Sequence, residues 1–119
     1  MLSREKAEHL AKHWIESWNA HDIEAIMTHY ADNIELTSPV VSQILNRANG
    51  RVVGKKELRD YFKKGLEAYP NLRFVLKDIM WGITSLVLYY TNQKDTHTAE
   101  YMEVSDKGLI SRVVANYNA

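Results

Sequence analysis

The chain has 119 residues, 45% of them hydrophobic, which is enough for one buried core and too little for two, so residues 1–119 are predicted to form a single domain. Fifteen basic and fifteen acidic side chains leave a formal net charge of zero, which argues against nucleic acid or an anionic membrane surface as a partner. The absence of cysteine excludes disulfides, thiolate nucleophiles and cysteine-bound zinc.

The N-terminal sequence passes directly into a charged helical pattern and lacks the apolar block of a secretion signal. The chain also lacks a run of about 18 apolar residues, the length that a membrane helix needs. We therefore expect a soluble protein of the cytoplasm.

The first half of the chain shows the periodicity of two helices and then a strand. Apolar and aromatic side chains recur every three to four residues over residues 3–19, which predicts a first helix with an aromatic buried face. Residues Asn19 to Asp22 contain a break and a plausible N-cap for a second helix, whose period extends to Tyr30. From Ile34 to Ser38 apolar and polar residues alternate, so a strand with one buried face follows.

The second half ends in a run of strands. Residues 39–53 lack a clear period and are predicted to form a flap with at most one helical turn. A third helix is predicted after Gly54, and Tyr69-Pro70-Asn71 stops it because proline cannot continue the helical hydrogen bonds. The four strands that follow are expected at residues 72–80, 84–92, 96–104 and 109–117. Turn-forming segments separate the later strands, so the predicted class is α+β, with three helices packed on a strongly curved, mainly antiparallel sheet.

Glu100 is the one candidate for acid–base chemistry. On its strand the alternation groups it with Met102 and Val104, which favours the concave face of the sheet. A carboxyl group buried among apolar side chains has a raised pKa, which suits a general acid, a general base or a protonated hydrogen-bond donor. A register shift of one residue would instead place Glu100 on the outer face.

The expected ligand site is a cavity between the helices and the curved sheet. Aromatic side chains could line it, although aromatic stripes at helical spacing also form plain core. The candidates are Trp14, Trp18, Tyr30, Tyr61 and Tyr117. Trp14 is the strongest of them, because its buried indole N–H needs a partner that a ligand oxygen or Glu100 would supply.

Other polar groups are interpreted as surface features. His9, His13 and Glu16 have the spacing of metal ligands, but helical phase places them opposite the tryptophans, on the solvated face. We therefore expect no metal site and no cofactor. Asp78 lies near a bend in its strand, and its orientation stays open.

Three segments taken in order resemble the nuclear transport factor 2-like superfamily, and within it the SnoaL-like group. They are the junction Tyr30-Ala31-Asp32, the stretch Gly54-Lys55-Lys56-Glu57-Leu58-Arg59-Asp60-Tyr61-Phe62 and the closing meander. Residues 22–39 are also similar to the matching stretch of ketosteroid isomerase. The resemblance covers nearly the whole chain and implies a curved sheet and helices around a conical pocket, commonly in a dimer.

The resemblance to ketosteroid isomerase assigns four positions. The general-base aspartate of the isomerase falls on Ser38, its oxyanion tyrosine on Trp14, its protonated aspartate on Glu100 and a supporting tyrosine on Tyr30. A serine hydroxyl cannot replace a carboxylate as a base near neutral pH, and an indole lacks the acidity of a phenol. Ketosteroid isomerisation by that route is not expected.

Two hypotheses of function remain. In the first, the protein binds a small, largely apolar molecule and Glu100 carries isomerase, cyclase or lyase chemistry; in the second, it is a non-catalytic ligand-binding or dimerisation module. An epoxide hydrolase would need a carboxylate and an arginine inside, whereas Arg73 and Arg112 fall in the outward phase. The residues expected to contact the ligand are Trp14, Trp18, Tyr30, Ser38, Tyr61, Met102, Val113 and Tyr117.

A homodimer is expected through the convex face of the sheet. Alternation on the last strand assigns its side chains to two sets. The inward set is Ser111, Val113, Ala115 and Tyr117; the outward set is Ile110 and Val114, with Ala99 and Tyr101 beside them on the neighbouring strand. A monomer would expose this outward apolar surface.

Overall fold

The computed structural model describes residues 2–119 and contains four helices and one six-stranded sheet. The helices are α1 (Arg4–Asn19), α2 (Ile23–Met27), α3 (Pro39–Leu45) and α4 (Lys55–Ala68). The strands are β1 (Tyr30–Thr37), β2 (Arg51–Val53), β3 (Val75–Trp81), β4 (Ser85–Thr91), β5 (His97–Val104) and β6 (Ile110–Tyr117). The predicted α+β class is confirmed, with one helix and one strand more than expected.

The strands form one mixed sheet in the order β2-β1-β6-β5-β4-β3. β1 lies parallel to β6, and every other neighbouring pair is antiparallel. The helices pack on one face of the sheet, here called the concave face, and the buried apolar side chains lie between the two layers. Within residues 2–119, no helix combines the length and the apolar composition that crossing a bilayer requires.

The second helix is shorter than its periodicity predicts. Its N-cap lies within the predicted break, at Asp22, whose side chain accepts a backbone hydrogen bond at 3.1 Å, but the helix ends at Met27 and Tyr30 opens β1. The reason is pairing with the last strand. The Ile110 amide donates to the His29 carbonyl at 2.8 Å, and Tyr30 lies opposite Ile110. Pairing across the sheet therefore overrides the helical period.

The segment predicted as a flap contains α3 and β2. Ser38 caps α3, and Pro39 occupies its first turn, where a proline costs no helical hydrogen bond. Asn46 ends the helix in the left-handed conformation, with φ of 56°. β2 then pairs with β1 at the edge of the sheet. Residues 39–53 are therefore mostly regular secondary structure.

A bulge in β6 reverses two predicted orientations. Ile110, expected on the outer face, is fully buried. Glu103 lies opposite Arg112, but the next residue of β5, Val104, lies opposite Ile110, so Ser111 is one extra residue in β6. An extra residue exchanges the two faces of a strand, because side chains alternate along it. Ser111, expected on the concave face, is this half-buried bulge residue.

A second bulge decides the orientation of Asp78. Leu76 lies opposite Tyr90 and Asp78 lies opposite Tyr89, so β3 also contains one extra residue. Leu76 and Ile79 therefore pack against the core, while Asp78 is exposed.

Candidate functional site

A cavity of about 340 Å³ lies between the helices and the concave face of the sheet. Most of the predicted site residues are on its wall. They are Trp14, Trp18, Ser38, Tyr61, Glu100 and Tyr117. Helices α1, α3 and α4 and strands β1, β4, β5 and β6 all contribute to this wall. Contact of these residues with a ligand stays a prediction.

Three of the predicted ligand contacts lie in the core instead. Tyr30, Met102 and Val113 are fully buried, and none of them is on the cavity wall. Met102 lies opposite Val113, two residues beyond Glu100 on β5, where large apolar side chains fill the space between the layers. Tyr30 packs against the ring of Phe62, with centroids 5.4 Å apart. A side chain that faces inward can lie either in the core or on the cavity wall, and the packing of its neighbours determines which.

Glu100 lies between Leu88 of β4 and Ala115 of β6, with 6% of its surface exposed. The Tyr90 hydroxyl donates a hydrogen bond to its carboxylate at 2.6 Å, and no lysine or arginine within residues 2–119 forms an ion pair with it. Burial raises the pKa of Glu100 to about 7, against the smaller and opposite effect of the Tyr90 hydrogen bond. Near neutral pH the carboxyl group is therefore present in both of its protonation states.

Three buried tyrosines and the half-buried Tyr117 respond to the charge of this carboxyl group. Burial is the largest cause that raises the pKa of each phenol, and the negative charge of Glu100 adds to it. They are Tyr30, Tyr61, Tyr90 and Tyr117, and the pKa of Tyr117 is raised to about 12. These phenols stay protonated at physiological pH, so they act as hydrogen-bond donors and not as bases.

Trp14 finds its hydrogen-bond partner inside the protein. Its indole Nε1 donates to the Tyr30 hydroxyl at 2.9 Å, so neither Glu100 nor a ligand oxygen is needed to satisfy it. Its ring stacks on Phe74, with centroids 5.7 Å apart and planes inclined by 13°. Trp14 therefore supplies an aromatic surface to the cavity, while its N–H group is used in the core.

The Ser38 hydroxyl is also engaged in structural hydrogen bonds. It accepts from the Val40 amide at 3.1 Å, which caps α3, and it donates to the Tyr117 hydroxyl at 3.4 Å. Ser38 is 3% exposed. Through these two hydrogen bonds Ser38 connects the end of β1 to α3 and to β6.

The remaining polar candidates lie outside the cavity. His9, His13 and Glu16 are exposed on α1, and the two imidazole rings lie 4.2 Å apart. Arg73 and Arg112 are exposed as well. Within residues 2–119 no three His, Cys, Asp or Glu side chains are arranged to hold a metal ion. The buried titratable groups of the cavity are therefore one carboxyl group and its neighbouring phenols.

Comparison with known proteins agrees with this architecture. The sequence model of the SnoaL-like domain matches residues 11–113. The chain belongs to the SnoaL-like family. A SnoaL-like protein of unknown function from Burkholderia thailandensis E264 is 30% identical to it, with a TM-score of 0.94 over 98% of each chain. A search of the curated proteins finds no match.

Two more distant structures share the SnoaL-like fold. SalBIII, an epoxide hydrolase/cyclase-like enzyme with a role in pyran ring formation in the polyether salinomycin, is 14% identical, with a TM-score of 0.77 over 99% of this chain and 95% of that chain. A proposed ketosteroid isomerase from Kribbella flavida is 18% identical, with a TM-score of 0.73 over 97% of this chain and 79% of that chain. At these identities the likeness shows the fold alone.

Tyr90, Thr98 and Phe74 are among the wall residues of this SnoaL-like protein that the sequence analysis misses. Tyr90 shares strand phase with Leu86 and Leu88, and Thr98 precedes the buried carboxyl by two positions. Strand alternation therefore indicates that both side chains face the interior. Phe74 precedes β3 and carries no periodic signal.

Proposed function

We propose that this SnoaL-like protein binds a small, largely apolar molecule in its cavity and that Glu100 performs acid–base chemistry on it, of the isomerase, cyclase or lyase type. The observation that carries the proposal is a buried carboxyl group on a cavity wall, hydrogen-bonded to Tyr90 and, within residues 2–119, free of any ion pair. Such a group gains and loses a proton near neutral pH.

The wall favours an apolar ligand with a polar group near Glu100. Trp14, Trp18, Phe62 and Phe74 present aromatic rings to the cavity. When ionised, Glu100 would take a proton from a carbon next to a ligand carbonyl. The C–H bond breaks and its electron pair forms an enolate with its charge on the carbonyl oxygen. In a ligand with a C=C bond next to that carbon, the proton returns to the far carbon of the C=C bond, and the double bond shifts into conjugation with the carbonyl, which completes an isomerisation.

Two other observations favour a second function, that of a non-catalytic binding module. Ser38 and Trp14 stand where ketosteroid isomerase has its base and its oxyanion donor, and both side chains are engaged in hydrogen bonds within the protein. In this alternative Glu100 serves only to bind a polar group of the ligand.

We also propose a homodimer through the outer face of the sheet. Val87, Tyr101 and Val114 lie opposite one another on β4, β5 and β6 and form an apolar row across the centre of that face. Each is only half-buried in the monomer. Ile110 is not part of this row because of the bulge in β6.

Proton exchange tests the catalytic proposal without knowledge of the natural substrate. The probe is 2-tetralone, a two-ring ketone whose acidic C–H protons exchange in D₂O and are followed by NMR. We expect the protein to accelerate this exchange, Glu100→Gln to abolish the acceleration while 2-tetralone still binds, and Glu103→Gln, on the same strand but half-buried outside the cavity, to retain it. Binding of 2-tetralone to the parent protein without faster exchange would support the binding module instead.

A further inference from the structure

Two residues of the cavity wall each carry a buried polar atom that has no hydrogen-bond partner among residues 2–119. These atoms are Nε1 of Trp18, on α1, and Oγ1 of Thr98, on β5. Trp18 is 7% exposed and Thr98 is 1% exposed. Buried polar side chains in folded proteins are almost always paired, because an unmade hydrogen bond costs about 1–3 kcal/mol. Two such atoms in residues of one wall therefore point to a partner outside the chain.

The neighbours of Trp18 explain why its N–H group finds no partner in the protein. Its ring packs edge-on against Phe62, with centroids 4.7 Å apart, and lies 5.6 Å from Phe74 and 6.0 Å from Trp14. The only polar atom on these three side chains is the Trp14 Nε1, which is itself a donor and already bonds to Tyr30. The Tyr30 hydroxyl also lies near the Trp18 indole, since both tryptophan N–H groups lower the pKa of that phenol, but it bonds to Trp14 and makes no well-aligned hydrogen bond with Trp18. The Trp18 N–H group is therefore free to bond to an external acceptor.

Thr98 has polar neighbours, but none of them makes a hydrogen bond with its hydroxyl group. It lies opposite Tyr90 on β4 and opposite Tyr117 on β6. The Tyr90 hydroxyl donates to Glu100 at 2.6 Å, and the Tyr117 hydroxyl accepts from Ser38 at 3.4 Å. The Thr98 hydroxyl is thus held on the sheet side of the cavity, two residues from the carboxyl group.

We infer that Trp18 and Thr98 form a ligand subsite for an uncharged molecule of about two rings that carries an oxygen at each end. This inference rests on the proposed binding function and adds the class of ligand to it. The indole N–H only donates, so the ligand presents an acceptor oxygen there, whereas the Thr98 hydroxyl pairs with a carbonyl or a hydroxyl. The two atoms belong to opposite layers of the fold, so one ligand reaches both by spanning the cavity.

Size and charge support this class of ligand. A cavity of about 150 Å³ holds benzene, so the volume of about 340 Å³ here corresponds to a molecule of roughly two rings. Among the described wall residues the only cation is Lys94, in the exposed β4–β5 turn, where its Nζ lies 5.0 Å from the centre of the Tyr69 ring. An anionic ligand would lie near Glu100 without a buried cation to offset its charge.

Calorimetric titration of the full chain with a matched probe series tests the subsite. The probes are tetralin, which has no oxygen; 2-tetralone; 6-hydroxy-2-tetralone, with oxygens at opposite ends; and the anion 2-naphthoate. We expect 6-hydroxy-2-tetralone to bind at least tenfold more tightly than tetralin, and 2-naphthoate not to bind. Trp18→Phe and Thr98→Val should each lower the affinity for 6-hydroxy-2-tetralone relative to tetralin by roughly two- to tenfold, because each removes one hydrogen bond. Taking the ratio of the two probes cancels the ring area that Trp18→Phe also removes from the wall.

The outcomes separate this inference from the proposed function. If the parent protein binds the probes and both variants keep the parent ratio between 6-hydroxy-2-tetralone and tetralin, the subsite is wrong and the binding function stands. If the parent protein binds none of the probes, the binding function for this class of ligand is overturned as well. A denaturation midpoint of ligand-free Thr98→Val that is equal to or higher than that of the parent supports an unpaired hydroxyl, and a clearly lower midpoint contradicts it.

Discussion

Because burial raises the pKa of Glu100 to about 7, the folded protein keeps a proton on this group over a pH range in which the unfolded chain has lost it. The contribution of Glu100 to the free energy of unfolding is therefore fully present below the ordinary glutamate pKa of about 4.3 and is lost as pH rises through about 7. The whole effect is on the order of 3 kcal/mol. Glu100→Gln should remove this decline and be more stable than the parent at pH 8.

Urea denaturation at pH 5, 6, 7 and 8 measures this difference, and Glu57→Gln is the matched control. The guanidinium group of Arg47 and the Val53 amide lower the pKa of Glu57 to about 2. The contribution of Glu57 to the free energy of unfolding therefore depends on pH in the opposite direction to that of Glu100: it is present above the ordinary glutamate pKa and is lost as pH falls through about 2. The difference between the parent and Glu57→Gln should therefore be flat over pH 5–8. Parallel curves for the parent and Glu100→Gln would contradict a raised pKa at Glu100.

The two cavity tryptophans should differ in the cost of losing their N–H groups. Trp14→Phe leaves the buried Tyr30 hydroxyl without its donor, so it should lower the free energy of unfolding by about 1–3 kcal/mol more than Trp18→Phe, which breaks no hydrogen bond within the protein. Both variants lose the same ring area, so the difference reports the hydrogen bond. A double-mutant cycle with Tyr30→Phe checks it, and a coupling energy of zero would contradict the pairing.

At the scale of secondary structure elements, the contact between Gly50 and Ser38 fixes the start of α3. Gly50 has φ of 61°, and a Cβ atom there would lie 2.7 Å from the Ser38 carbonyl oxygen. That oxygen already accepts from the Val41 amide at 3.0 Å, and the Ser38 amide donates to the Gly50 carbonyl at 2.9 Å. The carbonyl therefore cannot move away without breaking the first turn of the helix.

Gly50→Ala should consequently destabilise the protein much more than Gly108→Ala. Gly108 also has positive φ, 77°, but a Cβ atom there would have no neighbour within 4 Å, so its substitution costs only the left-handed conformation, roughly 1–2 kcal/mol. Thermal denaturation of both variants gives the comparison. Equal losses of stability would show that the contact with Ser38 adds nothing.

The orientation of side chains on a strand could be predicted from the sequence only where the pairing of that strand is free of bulges. The pairing of β5 with β4 runs without a break from His97 to Glu103, so simple alternation placed Glu100 correctly on the concave face. The same rule failed at Ile110, because an extra residue in β6 leaves no mark in the hydrophobic pattern of a short strand. Tyr30 fitted the helical period, and only a partner strand 80 residues away along the chain, at Ile110, decided against it.

The sequence predicted which side chains of the site face the interior, but it did not predict which of them contact each other. The periodicity predicted that Trp14, Trp18 and Glu100 face the interior, but it gave no information on which polar atoms form hydrogen bonds with each other. The hydrogen bond from Trp14 to Tyr30 and the unpaired Trp18 N–H depend on side-chain packing between layers that are distant in the sequence. Tertiary packing of this kind is not encoded in any local pattern.

At the scale of the whole molecule, the outer face of the sheet should determine the oligomeric state. Val114 lies at the β6 end of the apolar row, opposite Tyr101, and its side chain does not enter the core. Val114→Lys should therefore give a folded monomer, because a dimer would have to bury the new charge. Val53→Lys, at a 54% exposed valine on the edge strand β2, is the control and should remain dimeric.

Sedimentation velocity at micromolar concentration distinguishes these states. A parent protein that sediments as a monomer, or a Val114→Lys variant that still sediments as a dimer, would contradict the proposed interface. Circular dichroism confirms that the lysine variants keep their secondary structure.

The distribution of the three tryptophans has a spectroscopic consequence. Trp14 and Trp18 are buried beside the cavity, whereas Trp81 is 36% exposed outside it, with the guanidinium carbon of Arg4 5.5 Å from its ring centre. The intrinsic fluorescence of the protein thus combines a blue-shifted pair of emitters with a single red-shifted one that soluble iodide can quench. A molecule that enters the cavity changes the first component and leaves the second as an internal reference, so occupancy can be read without a label.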